Sequence, residues 1–408
     1  MKRSNIGLKI VAIIFLVTVT LITINIVQLN NNQTEKTENI VANNLINNDT
    51  IVVEIEEEPK VYKATLVGTG DALVHSPIYR AAYNSSEGSY DFTYMMEDVK
   101  DIISKYDIKY YNQEVIFDDD KPYSTYPIFN IPSDWGENMI NDMGFNLVSL
   151  ATNHSMDCGN ASAKKNAEWW ESKTNILATG MASSEERRNE HRIFEANGIT
   201  YTMLSYTYGT NGIPVQEDYV VNLFDEETVL EDIKAVRDKV DVLIVAMHWG
   251  IEYNTGITEE QKEQAKFLGE NGVDIILGNH SHCIEPWEWI DEDTVVFYSF
   301  GNFISNQMAA EEARVRKVGP VGMLGTLEIT KTVDPKNNTS KIKIGNIGAE
   351  LIYTYRYYNS SKGKNDYKII PFSKLDDSYL KNYEEVYEEF SEILKKFDQS
   401  IQIVPLSE

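Results

Sequence analysis

The residues best suited to chemistry are His280 and His282, spaced i, i+2 just beyond the apolar run VDIILG, residues 273–278. Buried parallel strands read as continuous apolar runs, and ligands in such sheets gather where the strands end. In extended chain two residues so spaced face the same way, which predicts a two-imidazole grip on a metal ion. An isolated His-x-His also describes two idle loop histidines, so the reading depends on partners from elsewhere.

Those partners recur at one kind of position. Asp71 and His75 follow KATLVGTG, Asn112 and Glu114 follow IKYY, Asn153 and His154 follow NLVSLAT, and His248 and Glu252 follow DVLIVAM. Five of the six histidines therefore lie at or just past the ends of strand-like runs. Each has a structural explanation singly: Asp71 can cap a helix, Asn153 can hold a turn, His248 can be a satisfied buried histidine. A shared placement relative to the strands does not arise from scattering. A mixed His, Asn and carboxylate set suits one or two ions of Zn, Mn or Fe, not Ca, and the scarcity of cysteine excludes a thiolate site. A carboxylate can bridge two ions about 3.5–4 Å apart, and such a pair activates water and clamps a phosphoryl oxygen. The reaction class expected is metal-assisted hydrolysis.

Other candidates surround this set. Glu252 is read as a base, as a partner orienting His248, or as a surface carboxylate. Tyr206, Tyr208 and Asn211, in SYTYGTNG, are read as a loop over the site, its aromatic residues serving either packing or substrate contacts, and Asn302 after YSFG as a substrate contact or a turn residue beside Gly301. Arg314, with Arg316 and Lys317, forms a basic cluster that is either a receiver of an anionic substrate or polymer or a solvated loop.

The elements that must position these residues alternate. Helical spacing or capping marks 94–106, 133–143, 161–173, 225–239 and 258–271, the last opened by the capping box TEEQ. Strands are expected at 145–151, 175–178, 199–206 and 241–248, before VDIILG. This β-α-β-α order predicts an α/β domain with a largely parallel sheet. TVVFYSFGNF and MLGTLEITKTV are expected as neighbouring strands, KIKIGNIGAELIYTYRY as more sheet, and 378–397 as an acidic amphipathic helix for packing or a partner.

Composition bounds the rest. The 408 residues carry 37 Lys plus Arg against 63 Asp plus Glu, a formal charge of −26, which disfavours nucleic acid and anionic lipid surfaces. Cys158 and Cys283 are too few for a disulfide scaffold, though folding can bring them together. Basic Lys2, Arg3 and Lys9 precede the charge-free stretch Ile10 to Val27, long enough to span a bilayer and without an evident cleavage pattern. The expected order is a cytoplasmic tail over 1–9, a transmembrane signal anchor over 10–28, a polar extracytoplasmic linker over 29–60, a domain over 61–375, and a helix and tail over 376–408. A cleaved signal peptide is the alternative, and it too exports the bulk of the chain.

Seven segments, GDALVHSPIY, YYNQE, NLVSLATNHSMDCG, SYTYGTNGIP, MHWGIEY, GNHSHCIEP and YSFGNF, resemble in that order the motifs of the bacterial capsule-synthesis (CapA/PgsA) family, across about residues 63–375. That family serves poly-gamma-glutamate biosynthesis and in turn resembles calcineurin-like metallophosphoesterases. The resemblance implies a four-layer αββα sandwich behind a single N-terminal transmembrane helix, with synthase subunits as partners. It implies metal ligation by Asp71, Asn153, His248, His280 and His282, and protonation of the leaving group by His154. Leu73 stands where the phosphoesterase pattern has its first histidine, and YNQE replaces Gly-Asp, so a bridge must come from Asn112 or Glu114 and His75 is a substitute for the missing histidine. Thr152 and Asn279, beside the ligand positions, are expected to tolerate variation.

Overall fold

The computed structural model describes residues 58–337 and 339–407. The expected tail and anchor, and the linker up to residue 57, lie outside the described residues; among the described residues no helix is long and apolar enough to cross a membrane. The chain divides into two compact units, residues 1–60 with 334–339, and residues 61–333 with 340–408. The fold that follows is that of the second.

It is a mixed α/β fold built on two sheets. One has nine strands, in the order Lys364–Pro371, Thr339–Asn359, Val321–Asp334, Lys60–Ala72, Ile108–Asn112, Leu147–Ser149, Leu177–Thr179, with Asn302–Ile304 and Gln402–Ile403 added alongside. The other has six, in the order Trp287–Trp289, Val295–Phe297, Ile275–Asn279, Val242–His248, Ile199–Thr207, Phe194–Ala196. The strands that end in candidate ligands pair in parallel with one another: Lys60–Ala72 with Ile108–Asn112 and that strand with Leu147–Ser149 in one sheet, Ile199–Thr207 with Val242–His248 and that strand with Ile275–Asn279 in the other. Their connections are the helices Glu97–Ile103, Asp134–Asn141, Asn160–Glu171, Glu226–Val236 and Glu259–Glu270, and the expected capping box forms, with Thr258 accepting from Gln261 N.

Alternation along each strand separates three cores. Val242, Ile244 and Ala246 meet Leu66, Ile108 and Tyr110 between the sheets, whereas Leu243, Val245 and Met247 pack on the helices Glu226–Val236 and Glu259–Glu270. On the nine-stranded sheet Val67, Tyr111 and Val148 face the other helices, including Asp134–Asn141 and Asn160–Glu171. The order is helices, sheet, sheet, helices, because each strand buries both faces and a period of two sends successive residues to different layers.

One expectation is corrected. TVVFYSFGNF is not one strand beside MLGTLEITKTV: Val295–Phe297 lies in the six-stranded sheet, and Asn302–Ile304 has crossed to pair with Lys60–Ala72 in the other. Glycine permits the crossing, since a Cβ on Gly70 would lie 1.7 Å from Gly301 O and one on Gly278 1.9 Å from Tyr298 O. Cys158 and Cys283 are both free, one beside the outer helical core and the other between the sheets. The acidic C-terminal helix, Tyr383–Leu394, packs Phe390 and Leu394 into the inter-sheet core.

Candidate metal centre

Strand ends from both sheets converge on one cluster. Asp71 ends Lys60–Ala72 and stands in register with Asn112 on one side and Asn302 on the other, while Asn279 registers with His248. Inter-sheet parity carries through Ile108, Tyr110 and Asn112, and through Val242, Ile244, Ala246 and His248, so the polar side chains inherit the direction of the core residues before them.

Asp71, Glu114 and His282 bring one ligand atom each to within 4.8 Å of one another, and all three are buried. His282 Nδ1 lies 3.2 Å from Asp71 Oδ2 and 3.1 Å from Asn302 Oδ1, and its Nε2 lies 3.4 Å from Glu114 Oε1. Glu114 is 0% exposed, and neither of its oxygens has a hydrogen-bond partner among the described residues. Burying a carboxylate without partners is costly, so burial and then the neighbouring Asp71 push its pKa well above the usual range, against the pull of His282. Burial disfavours charge on His282, but Glu114 and Asp71 outweigh it and hold the imidazolium up to about 10. Orphaned buried oxygens beside a second carboxylate and an imidazole suit a divalent cation, which Asp71, Glu114 and His282 would hold.

A second group adjoins the first. Asn112 Nδ2 donates to Asp71 Oδ1 at 2.8 Å and lies 3.3 Å from His248 Nδ1. Accepting there leaves the ring proton on His248 Nε2, which faces Asn153 Oδ1 at 3.0 Å. The Asn153 amide is turned this way because its Nδ2 donates to Asn211 Oδ1 at 3.3 Å. The His280 ring is 4.8 Å from that of His248, and its buried Nδ1 has no hydrogen-bond partner among the described residues. Burial, then neighbouring histidines, lowers the pKa of both rings well below the ordinary value, leaving them neutral as ligation requires. Asp71, Glu114, Asn153, His248, His280 and His282 are thus brought together. Of the two bridge candidates, Glu114 offers two unpartnered carboxylate oxygens, whereas Asn112 uses its Nδ2 to position Asp71 and His248 and keeps only its Oδ1 unpartnered.

The histidine pair does not sit on extended chain. The strand ends at Asn279, and His280 and His282 adopt φ of 96° and 55°. This is an uncommon region for residues with a Cβ, costing on the order of 1–2 kcal/mol each. It splits the rings by 6.1 Å between centroids, His280 toward His248 and His282 toward Asp71 and Glu114. The turn is held by His280 N donating to Asp71 Oδ2 at 3.2 Å, Tyr253 N to Ser281 O at 2.6 Å and Ser281 Oγ to Cys283 O at 2.9 Å.

His154 stands beside this cluster with its Nδ1 2.7 Å from Asp157 Oδ2, and Asp157 also accepts from Phe129 N at 2.6 Å. Its Nε2 makes no hydrogen bond among the described residues, and the ring lines a cavity of about 570 Å³ together with His282 and Leu73. Asp157 was not among the sequence candidates; the signal was its i+3 spacing from His154 in a turn rich in polar residues. Thr152 and Asn279, expected to tolerate variation, are buried and engaged. Thr152 Oγ1 donates to Glu114 O at 2.6 Å and accepts from His154 N at 3.1 Å, and Asn279 Nδ2 donates to Tyr110 OH at 2.6 Å.

Several expected contacts are elsewhere. Tyr206 is wholly buried on the helix-facing side of its strand, its hydroxyl 2.6 Å from Asp232 Oδ2, so it offers nothing to a substrate; strand parity already assigns it the opposite face from Ser205 and Thr207. Tyr208 instead packs on His280 at 4.6 Å. Asn302 is spent holding His282 and on Gln307 Oε1 and Gly319 O, both at 2.8 Å, leaving no group for substrate. Arg314 is exposed and does not line the cavity. Glu252 is exposed on the cavity wall and does not orient His248, a task done by Asn112 and Asn153. His75 stays at the wall, its Nδ1 engaged with Leu73 O and Asn306 N, and burial lowers its pKa to about 4.

The sequence pattern of the family described as Bacterial capsule synthesis protein PGA_cap matches residues 65–307. The chain belongs to this family. Every candidate ligand and His154 fall within the matched residues; Arg314 falls beyond them. The chain is similar to the PGA biosynthesis protein CapA of Bacillus subtilis (strain 168), 30% identical over 172 residues, which are 41% of this chain and 45% of that one. It is also similar to the Capsule biosynthesis protein CapA of Bacillus anthracis, 25% identical over 175 residues, 41% of this chain and 42% of that one. The match thus spans less than half of either relative. A hypothetical protein from Thermus thermophilus of known structure aligns over 69% of this chain and 98% of its own, at 13% identity and a TM-score of 0.40.

Proposed function

We propose that this protein is a membrane-anchored, extracytoplasmic component of poly-gamma-glutamate capsule biosynthesis or export, carrying a metal-dependent, phosphoesterase-like site. Membership of the capsule-synthesis family supports the pathway. The observation that carries the site is Glu114, buried with two unpartnered oxygens beside Asp71 and His282. Asn153, His248 and His280 supply donors for a second ion, and Mn, Zn or Fe suits this donor set. The layering of helices, sheet, sheet and helices supports kinship with metallophosphoesterases. The partners on this reading are the bilayer, reached through residues 10–28, the polymer synthase subunits, and a phosphoester or an anionic polymer; nucleic acid has no part.

A divalent ion held there supplies Lewis-acid activation of water and of a phosphoryl oxygen. The chain's own residues do the rest. His154, oriented through Nδ1 by Asp157, directs Nε2 into the cavity where a leaving oxygen would take its proton. Asn302 holds His282, Asn112 holds Asp71 and His248, and Asn211 holds Asn153. The purified protein, loaded with Mn or Zn and given a chromogenic phosphodiester, is expected to turn it over and to lose turnover in His154→Ala. Elemental analysis finding two ions per chain supports hydrolysis, whereas no turnover with any metal sinks it.

A second reading, a non-catalytic scaffold for the synthase, is favoured by Leu73, an apolar side chain in the position of a phosphoesterase ligand. Complementing a deletion strain with His280→Ala plus His282→Ala separates the two: full capsule restoration means the site is dispensable.

A further inference from the structure

The wall of the cavity beside His282 and His154 is acidic and aromatic. Glu252, Glu311 and Glu312 line it, and no lysine or arginine does among the described residues. None of the three carboxylates has an ion-pair partner among the described residues. Aromatic rings complete the wall: Phe129, Tyr253, and Tyr126, which is 76% exposed. His154 is only 6% exposed, yet its ring, with Nε2 unpartnered, belongs to the same wall. Unpaired carboxylates and ring faces together attract an ammonium group and repel a carboxylate.

Resting on the phosphoesterase reading above, we propose that the cavity receives the leaving-group side of the substrate, and that the preferred substrates are phosphoesters of amino alcohols carrying an ammonium group. A water oxygen bonds to phosphorus, and the phosphorus–oxygen bond to the amino alcohol breaks with its electron pair going to the leaving oxygen. That oxygen takes the proton from His154 Nε2, and the proton shed by water restores His154. Ester plus water gives amino alcohol plus hydrogen phosphate.

Three phosphomonoesters of similar size test this on the metal-loaded protein: 2-aminoethyl, 2-hydroxyethyl and carboxymethyl phosphate. The expected kcat/KM falls in that order, by about tenfold or more across the series at low salt, with the span narrowing as salt screens the wall. Calorimetry with ethanolamine, ethylene glycol and glycolate ranks the same groups without turnover. In Glu311→Gln/Glu312→Gln the preference for ethanolamine over glycolate should fall several-fold while ethylene glycol is unaffected. Glycolate binding as well as ethanolamine, no measurable ethanolamine binding, or a double variant that keeps the full preference overturns the proposal. Absence of turnover with all three esters refutes the phosphoesterase reading instead, and the calorimetric ranking still decides the charge preference of the cavity.

Discussion

Replacing Asn302 by alanine tests whether His282 is held in place by its neighbour across the strand crossing. The side chain is 1% exposed and serves four partners: His282 Nδ1, His282 O, Gln307 Oε1 and Gly319 O. After truncation Gly319 O keeps a bond from Ser305 Oγ and His282 Nδ1 keeps Asp71, but Gln307 Oε1 and His282 O lose their donor. Each orphaned buried acceptor costs about 1–3 kcal/mol, so with two of them Asn302→Ala is expected to lose roughly 2–6 kcal/mol. That is a large share of a typical total of about 5–15 kcal/mol. Freeing the ring should also weaken metal binding about 10–100-fold, the usual effect of removing a group that orients a ligating histidine. Urea denaturation of the metal-free protein reads the first effect, and calorimetric titration with Zn or Mn reads the second. Asn302→Asp keeps the acceptor facing His282 but loses the donors, so it should match alanine in stability and retain most of the metal affinity. A loss below about 0.5 kcal/mol, the level of an ordinary surface change, with unaltered metal affinity in Asn302→Ala would refute the positioning role.

Thr152→Val keeps the shape but removes the bonds to Glu114 O and His154 N; urea denaturation should show a loss of about 1–3 kcal/mol, together with lower turnover. The neutral, buried His248 and His280 have folded pKa values below their unfolded ones, so the folded state binds fewer protons. The stability they contribute is present above about pH 6.5 and lost as pH falls through that window, by up to about 1.4 kcal/mol per pH unit for each ring, which denaturation of the metal-free protein at pH 7.5 and 5.5 measures. Metal should leave in the same direction, because protons compete for the ligating nitrogens. Tyr206→Phe should cost about 1–3 kcal/mol by removing the hydroxyl bond to Asp232, with metal affinity and KM unchanged; a raised KM would return Tyr206 to the substrate side.

The cluster was legible in the sequence because parallel strands deliver chemistry at their ends. Asp71, Glu114, Asn153, His248, His280 and His282 each follow an apolar run, and alternation along the run already states which sheet face the next side chain takes. The same alternation places Tyr206 on the helical side, a reading that the motif SYTYGTNG obscured. What residue order does not contain is the neighbour across a sheet or a crossing. Asn302 and His282 meet only because the chain leaves one sheet after Phe297 and joins the other at Asn302. Thr152 is essential to the turn only because Glu114 O lies above it. The different partners of His280 and His282 depend on left-handed backbone that hydrogen bonds from distant residues sustain. The sequence by itself determined which residues gather at the strand ends and the chemistry they can perform. The tertiary structure alone decided which of them are free to bind an ion and which are spent on holding the others, because a buried polar group's role is set by the partners that folding brings within hydrogen-bond reach.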